Sequence, residues 1–352
     1  MIFEIYEWEE IKDQFLESTL IIGNGSSVAL DDAFSYKSLK EYAENNKCFD
    51  QNVLELFKEF DTDDFELILR LVWHATVINE KLGVRDKKTK KAYENIRDAL
   101  ISTVRDIHSN YDVIDRSLLD LYNFTQKFRT IISLNYDLIM YWILMYGNSK
   151  RDGHKFKDCF IRGRFNRNWY EFRNKLYEKE NTLVFYPHGN LCLARDIEDE
   201  EFKIEANGHR LLDRILSNWD SNKMIPLFIS EGTKDKKLKA IETSAYLNTV
   251  YYEVIPEIFK SYKRSKEKNF YNLVIYGWSL GEHDEHILRQ ILLPINGRSR
   301  NIRGNKLAIS IYKINNEKCT AFYQKIKKII GEDIKLEIYF FDSSDAGCWN
   351  NP

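Results

Sequence analysis

The chain has 352 residues, of which 43% are hydrophobic and 30% charged, and its formal net charge is −2. This length allows a sizeable core, and this composition is typical of a water-soluble globular protein. The small net charge excludes a strong overall attraction to nucleic acid or to an anionic membrane, so we expect neither as a partner. Three basic runs, residues 85–91, 234–239 and 263–268, each contain an acidic residue and are predicted to be solvated helix faces or loops.

The cysteines argue against a zinc module and against a disulfide framework. There are five, without a C-x-x-C pair and without a histidine at metal-ligand spacing: Cys48, Cys159, Cys192, Cys319 and Cys348. The acidic N-terminus, MIFEIYEWEE, does not resemble a signal peptide, and the longest apolar run, residues 138–146, is too short to span a membrane. We therefore expect a cytoplasmic protein with no bound metal.

Short β-prone segments alternate with helical patterns along the chain. The β-prone segments are residues 19–22, 130–133, 182–186, 225–230, 272–276, 307–312 and 335–340. Most of them are continuously apolar, as expected for strands that are covered on both faces. The helical patterns are residues 138–144, 208–219, 253–262, 285–292 and 318–329. This alternation predicts an α/β fold with a doubly wound, parallel, Rossmann-like sheet.

The interval between the first two predicted strands is too long for a single crossover. Residues 64–79 have a broad apolar face, and residues 93–107 and 118–128 are amphipathic. We predict a helical insertion over residues 36–128. It would lie within one domain, residues 1–352, whose C-terminal part, residues 293–352, adds the strands and the helix that complete the sheet.

The first polar motif is GNGSS, residues 23–27, which follows the first predicted strand. Gly23 and Gly25 would allow a tight turn and a close approach to a pyrophosphate, whose charge free N–H groups would meet. Glycines also simply end strands, so the motif alone leaves both interpretations open. A third glycine at the dehydrogenase spacing is missing, and no clear strand with a ribose-binding acid follows about 20 residues later, which disfavours hydride transfer.

The second motif is SLNYD, residues 133–137, and it also follows a predicted strand. The carboxyl ends of the strands line the ligand crevice of an open α/β sheet, so Asn135 and Asp137 could hold ribose hydroxyls and a water molecule there. The same two side chains are equally suited to capping the helix that follows.

The third and fourth motifs are PHGN, residues 187–190, and YGWSL, residues 276–280. His188 could act as a general base, with Gly189 allowing the substrate to approach, and Gly277 and Ser279 could hold a ribose or a phosphate. The remaining histidines are predicted to be structural or merely exposed: His74, His108, His154, His209, His283 and His286. The acidic residues and histidines of segment 282–286 resemble a metal cluster, but capping of a helix start explains them better.

Taken in order, these four motifs resemble the sirtuin-like domain of bacterial antiphage-defence proteins that consume NAD⁺. That family has a Gly-x-Gly-x-Ser loop, a Thr-Thr-Asn-Tyr-Asp-like segment, a His-Gly pair, and a late Gly-x-Ser-Leu before an acidic residue. The resemblance spans residues 19–292. The chain departs from the family at Leu134, where many relatives have Thr, and at Trp278. It lacks the four-cysteine zinc module of protein-deacylating sirtuins, so peptide deacylation is not implied.

The resemblance implies a role for each matching residue. The pyrophosphate would be held by Gly23, Gly25, Ser26 and Ser27, with Gly25 and Ser26 closest to it, and the adenosine side by Gly277 and Ser279. Asn135 would position the nicotinamide ribose and the attacking water. Asp137 would support that loop as part of the NAD⁺-binding set, and His188 would be the general base.

The implied activity is that of an NAD⁺ glycohydrolase, which releases nicotinamide and ADP-ribose and depletes NAD⁺ in antiphage defence. Unregulated activity would poison the host. We therefore expect gating by homo-oligomerisation, by an activating protein partner or by a phage-derived trigger, with the insertion and the residues after Leu292 as candidate surfaces. Alternatives are a protein ADP-ribosyltransferase or deacylase, a non-enzymatic sensor of NAD⁺ or ADP-ribose, and an α/β protein whose motifs are only turns and caps.

Overall fold

The computed structural model describes residues 2–35, 39–85, 87–150, 154–173, 180–196, 198–206, 210–221, 223–229, 233–260, 272–296, 305–332, 334 and 336–352. Parts of several predicted segments lie outside the described residues, namely 36–38, 86, 208–209, 230, 261–268, 297–304, 333 and 335.

The strands in chain order are β1 Ile5–Tyr6, β2 Thr19–Ile22, β3 Thr130–Ser133, β4 His154–Lys157, β5 Phe160–Ile161, β6 Arg164–Phe165, β7 Glu180–Phe185, β8 Gly189–Arg195, β9 Glu201–Lys203, β10 Ile225–Phe228, β11 Leu273–Tyr276, β12 Lys306–Ile311 and β13 Glu337–Asp342. The α-helices are α1 Trp8–Ile11, α2 Gly25–Val28, α3 Leu39–Asn45, α4 Gln51–Glu59, α5 Phe65–Lys81, α6 Lys88–Ile107, α7 Tyr111–Asp115, α8 Leu118–Thr125, α9 Ile139–Ser149, α10 Arg210–Asp220, α11 Lys234–Glu242, α12 Ala245–Thr249, α13 Ile255–Lys260, α14 Glu285–Asn296 and α15 Asn316–Ile330. A π-helical turn covers Val250–Val254, and short 3₁₀ turns cover Lys12–Gln14, Asp32–Ser35, Trp169–Arg173 and Glu282–Asp284.

Eight parallel strands form the central sheet, in the order β1-β13-β12-β11-β2-β3-β7-β4. The inner strands β2, β3 and β11 are buried along their whole length, as their apolar, β-branched sequences predict. From β2 the chain moves to β3 on one side, and it later returns to β11 on the other side. The strand order therefore reverses between β2 and β11. Open α/β sheets bind ligands at such a point, beyond the carboxyl ends of the strands.

The predicted α/β fold with a doubly wound parallel sheet is confirmed, as is the run of helices between the first two predicted strands. Helices α3 to α8 occupy that interval. Helix α5 packs against α6 through Trp73 and Tyr93, whose rings stack at 6.5 Å. The same two helices also contact β10 and α10, which fixes the insertion against the rest of the protein.

One predicted strand belongs to a different sheet. Residues 225–228 form β10, which pairs antiparallel with β8 in a three-stranded sheet with β9, and not with the parallel strands. An apolar run indicates that a strand is covered, but it does not say which strand it pairs with, and this is why the interpretation was wrong. Six strands were not predicted at all, namely β1, β4, β5, β6, β8 and β9.

The C-terminal segment contributes strands to one side of the central sheet, where β1 is the edge strand. Strands β12 and β13 and helix α15 extend the sheet beyond β11. The indole of Trp349 is buried and donates from Nε1 to the Ser26 carbonyl at 2.7 Å. Among the described residues, no helix has both the length and the apolar character needed to cross a membrane.

Candidate functional site

The loops that follow β2 and β11 cross each other, backbone against backbone, where the strand order reverses. We call residues 23–27 the glycine loop. The N–H of Gly25 donates to the carbonyl of Gly277 at 2.7 Å. A Cβ on Gly277, whose φ is +66°, would lie 2.3 Å from the backbone nitrogen of Ser26. A Cβ on Gly23 would lie 2.5 Å from the Cβ of Trp278. These glycines are therefore required by the crossing itself.

The predicted cradle of free N–H groups is wrong for four residues of the glycine loop. The N–H of Gly23 donates to the Tyr276 carbonyl at 2.9 Å. The N–H groups of Gly25, Ser26 and Ser27 donate to the carbonyls of Gly277, Gly23 and Asn24 at 2.7, 2.9 and 3.0 Å. Both serine side chains are fully buried. The loop folds on itself and on its neighbour, so these donors are already used within the protein.

Two cavities open beside the crossing. The first, which we call the histidine cavity, has a volume of about 470 Å³ and is lined by Asn135, Asp137 and His188, among others. The second, which we call the C-terminal cavity, has about 520 Å³ and is lined by residues that include Phe322 and Asn350. Both are within the range of small-molecule sites. They share one wall, formed by Gly25, Val28, Gly277, Trp278 and Ser279.

The amide of Asn135 is held in one orientation from behind the cavity wall. Its Nδ2 lies within hydrogen-bond distance of the Gly23 carbonyl at 3.2 Å, of Ser26 Oγ at 3.2 Å and of Ser27 Oγ at 2.9 Å. Asn135 also lines the histidine cavity, to which it is 9% exposed. Ser26 and Ser27, predicted to contact the ligand, instead support Asn135 and do not line the histidine cavity.

Asp137 anchors this arrangement from the other side. Ser27 Oγ donates to its carboxylate at 2.5 Å, and the N–H of Ile139 donates to the second oxygen at 2.9 Å. Burial raises the pKa of Asp137 to about 6, and the two hydrogen bonds limit the rise. Asp137 thus caps the start of α9, as one of the two sequence interpretations predicts, whereas Asn135 bonds to the glycine loop.

His188 lies between β7 and β8, with 2% of its surface exposed. Burial lowers its pKa to about 3, with a contribution from the Lys237 ammonium and against the effect of Asp284. The imidazole is therefore neutral near pH 7. The role predicted for Gly189 is wrong: at a φ of +75° it turns the chain, and a Cβ there would meet the Leu227 carbonyl at 2.3 Å. This glycine packs against β10 and does not admit a substrate.

Three residues of the site were missed by the sequence analysis. The Nε2 atom of His188 lies 3.4 Å from Nε2 of His286 and 3.8 Å from Oδ1 of Asp284, and Lys237 Nζ lies 2.7 Å from the same carboxylate oxygen. Lys237 is 7% exposed and belongs to the 234–239 run that was predicted to be solvated. The position of segment 282–286, just after a strand-end motif, could have indicated two of the three. Nothing in the sequence indicated Lys237.

On the other side of the crossing, Ser279 is exposed and lines both cavities. Its carbonyl accepts from Lys325 Nζ at 2.7 Å. Trp278, one of the departures from the sirtuin-like pattern, is buried in the shared wall. Within the described part of the chain, no three His, Cys, Asp or Glu side chains are arranged to hold a metal ion.

Residues 20–349 match a family described as a Domain of unknown function (DUF4917). The match covers the glycine loop and all residues of the histidine cavity. No curated protein matches the chain.

Proposed function

The chain belongs to the DUF4917 family, and we propose that it is an NAD⁺ glycohydrolase that produces nicotinamide and ADP-ribose. One observation supports this proposal above the others. The oriented amide of Asn135 and the neutral imidazole of His188 lie on one cavity wall, beyond the strand ends, where the sheet order reverses. This is the position at which doubly wound sheets bind nucleotides.

The chemistry needs few protein groups. The nicotinamide of NAD⁺ is cationic and leaves as a neutral molecule, so no acid has to protonate it. Cleavage proceeds through an oxocarbenium-like ribose, as in glycoside hydrolysis. What remains is to hold the ribose and a water molecule and to accept one proton. Asn135 Oδ1 would hold the ribose and the water, and His188 would accept the proton. A positioned general base typically raises the reaction rate about 10²–10⁴-fold.

The shape of the site supports a dinucleotide substrate. Two cavities of similar size meet at one wall, as two linked nucleoside halves would require. We place the nicotinamide ribose in the histidine cavity and the adenosine in the C-terminal cavity. The diphosphate would cross the shared wall over Gly25 and Gly277, with Ser279 beside it.

The biological role is proposed from the sirtuin-like resemblance. NAD⁺ depletion would stop the growth of an infected cell, and such an enzyme must be silent until triggered. We propose that self-assembly or an activating partner provides this control, with the helical insertion as a contact surface. The enzyme would act in the cytoplasm.

A second candidate function is a sensor that binds NAD⁺ or ADP-ribose without cleaving it. The low pKa of His188, about 3, favours it, because such an imidazole is a weak base. Binding of NAD⁺ without release of nicotinamide would establish the sensor.

The test is to incubate the purified protein with NAD⁺ and to quantify nicotinamide by chromatography. We expect Asn135→Ala and His188→Ala to abolish its release while melting temperatures show that both variants are folded. His283→Ala is the matched control, since His283 is exposed, lies near the same segment and is expected to leave turnover unchanged. Turnover that survives both site substitutions would overturn the assignment of the site.

A further inference from the structure

Four ionisable side chains from four parts of the chain converge beside the histidine cavity. His188 follows β7, Lys237 lies on α11, Asp284 ends a 3₁₀ turn and His286 lies on α14. All four are largely buried, and Lys237, Asp284 and His188 line the cavity. A buried charge is costly unless it is paired, and the Lys237–Asp284 contact at 2.7 Å supplies that pairing.

The two imidazoles face each other through their Nε2 atoms, which are 3.4 Å apart. Burial lowers the pKa of His286 to about 4 and that of His188 to about 3, so both rings are neutral near pH 7. A neutral imidazole has a single N–H, and two N–H groups cannot face each other across 3.4 Å. His188 also bonds to the Leu134 backbone. His286 interacts in the same way with the backbone of His283, and at least one of the two facing Nε2 atoms therefore carries a lone pair that can accept a proton.

We propose that the proton acceptor of this site is the coupled pair His188–His286, and that the Lys237–Asp284 ion pair positions it and sets its affinity for a proton. The reaction in which these four residues would act rests on the proposed function. Their arrangement is independent of it. Lys237, Asp284 and His286 are positioning residues, since they act on the substrate through His188.

The proton balance of the step is simple. The oxygen of the water bonds to C1′ of the ribose, the glycosidic bond breaks, and its electron pair leaves with nicotinamide. The water proton passes to the imidazole pair, which gains one positive charge and later returns the proton to solvent. The Asp284 carboxylate, 3.8 Å from Nε2 of His188, stabilises that charge.

Lys237 opposes the stabilisation of this positive charge by Asp284. Its ammonium lowers the pKa of His188, while the Asp284 carboxylate raises it. The other groups that face the pair are Lys234, whose charge lowers the pKa of His286, and the backbone of His283, which raises it. The hydroxyl of Tyr251 donates to the His286 carbonyl at 3.3 Å, so it holds the backbone of α14 and leaves the ring free to exchange its proton.

The experiment is a double-mutant cycle read by NMR on protein labelled with ¹³C-histidine. We expect Lys237→Met to raise the pKa of His188 by about 1–3 units and Asp284→Asn to lower it. The double variant has lost both charges and should return close to the wild-type value, which also guards against misfolding caused by a lone buried charge. Lys236→Met is the matched control, since its side chain pairs with Asp61 and is 37% exposed.

A second measurement separates this unit from a merely structural contact. We expect the acid limb of the pH–rate profile for nicotinamide release to shift in the same direction as the His188 pKa. His286→Gln, which keeps an N–H donor, should retain more of kcat than His286→Leu, with KM little changed in both. A His188 pKa that stays constant across the cycle would overturn the proposal, even if NAD⁺ is cleaved. The predicted shifts of the His188 pKa without any cleavage of NAD⁺ would support the proposed role of the four residues and refute the proposed hydrolase activity.

Discussion

Ser27→Ala removes the hydroxyl that connects Asn135 with Asp137. Ser27 Oγ accepts from Asn135 Nδ2 at 2.9 Å and donates to the Asp137 carboxylate at 2.5 Å. Without it, Asn135 keeps only two contacts of 3.2 Å, and Asp137 keeps only the N–H of Ile139. The variant should therefore be less stable, and its Asn135 amide should no longer be held in one orientation.

The size of the effect follows from the two bonds. A hydrogen bond to a charged group is worth about 1.5–3 kcal/mol and a neutral one about 0.5–1.5 kcal/mol, so we expect a loss of about 2–4 kcal/mol at pH 8. Because the pKa of Asp137 is about 6 in the folded protein, its carboxylate is protonated at pH 5. Both bonds are then neutral, and the expected cost falls to about 1–3 kcal/mol. A 1 Å misplacement of Asn135 should lower kcat up to about 10²-fold.

Urea unfolding at pH 8 and pH 5 measures the loss of stability. Steady-state kinetics of nicotinamide release measures the fall in kcat. Ser26→Ala is the matched control, since Ser26 Oγ donates to the Gly23 carbonyl at 2.8 Å, accepts from Asn135 Nδ2 at 3.2 Å and touches no carboxylate. It should cost about 1–3 kcal/mol, and the same amount at both pH values. Equal stability losses for the two variants at pH 8 would refute the proposed chain from Asp137 through Ser27 to Asn135.

Three further substitutions test the frame of the site. Gly277→Ala should reduce the melting temperature sharply, because its Cβ would meet the glycine loop at 2.3 Å. Gly331→Ala, also at positive φ but with nothing within 4 Å, should cost only the backbone strain, about 1–3 kcal/mol. Trp349→Ala should cost about 3–5 kcal/mol in urea unfolding, since a buried indole and its hydrogen bond to the glycine loop are lost. Burial lowers the pKa of His108 to about 4, below the ordinary 6.5, so the stability it contributes is complete above pH 6.5 and is lost as the pH falls towards 4. His108→Gln should therefore flatten the fall in unfolding free energy over that window by up to about 1.4 kcal/mol per pH unit. The Leu138 N–H, which donates to His108 Nε2 at 3.1 Å, also requires the neutral ring.

The fold was predictable where local sequence determines the outcome. Strands such as β2 and β11 are short, apolar and rich in β-branched residues, and parallel strands covered by helices require that composition. Strand β8 was missed because it begins with Gly189 and Asn190, although every residue in it is buried. Its place depends on pairing with β10, and that pairing is decided by the whole fold.

The site was predictable where it follows the ends of parallel strands. Asn135, His188 and Gly277 come together because the carboxyl ends of β3, β7 and β11 meet at one edge of the sheet. Lys237 reaches the same place on a helix, from a part of the sequence with no motif, and His286 reaches it on a helix that begins just after the fourth motif. Their proximity is a property of packing, so no single sequence pattern could indicate it.

The roles of the glycines and serines in these motifs could be determined only from the structure. A Gly-x-Gly pair is compatible with a ligand loop and with two backbones in contact, and the 2.7 Å bond between Gly25 and Gly277 decides for contact. Likewise, Ser26 and Ser27 look like ligand-binding residues in the sequence. Their hydroxyl groups are in fact directed at Asn135 and away from the histidine cavity.

The central claim is that this chain hydrolyses the nicotinamide–ribose bond of NAD⁺. The most direct measurement is to incubate the protein with NAD⁺ in H₂¹⁸O, over a range of protein concentrations, and to identify both products by mass spectrometry. We expect nicotinamide and ADP-ribose in equal amounts, with one ¹⁸O at C1′ of the ribose. Intact NAD⁺ at every concentration, or nicotinamide without free ADP-ribose, would contradict it.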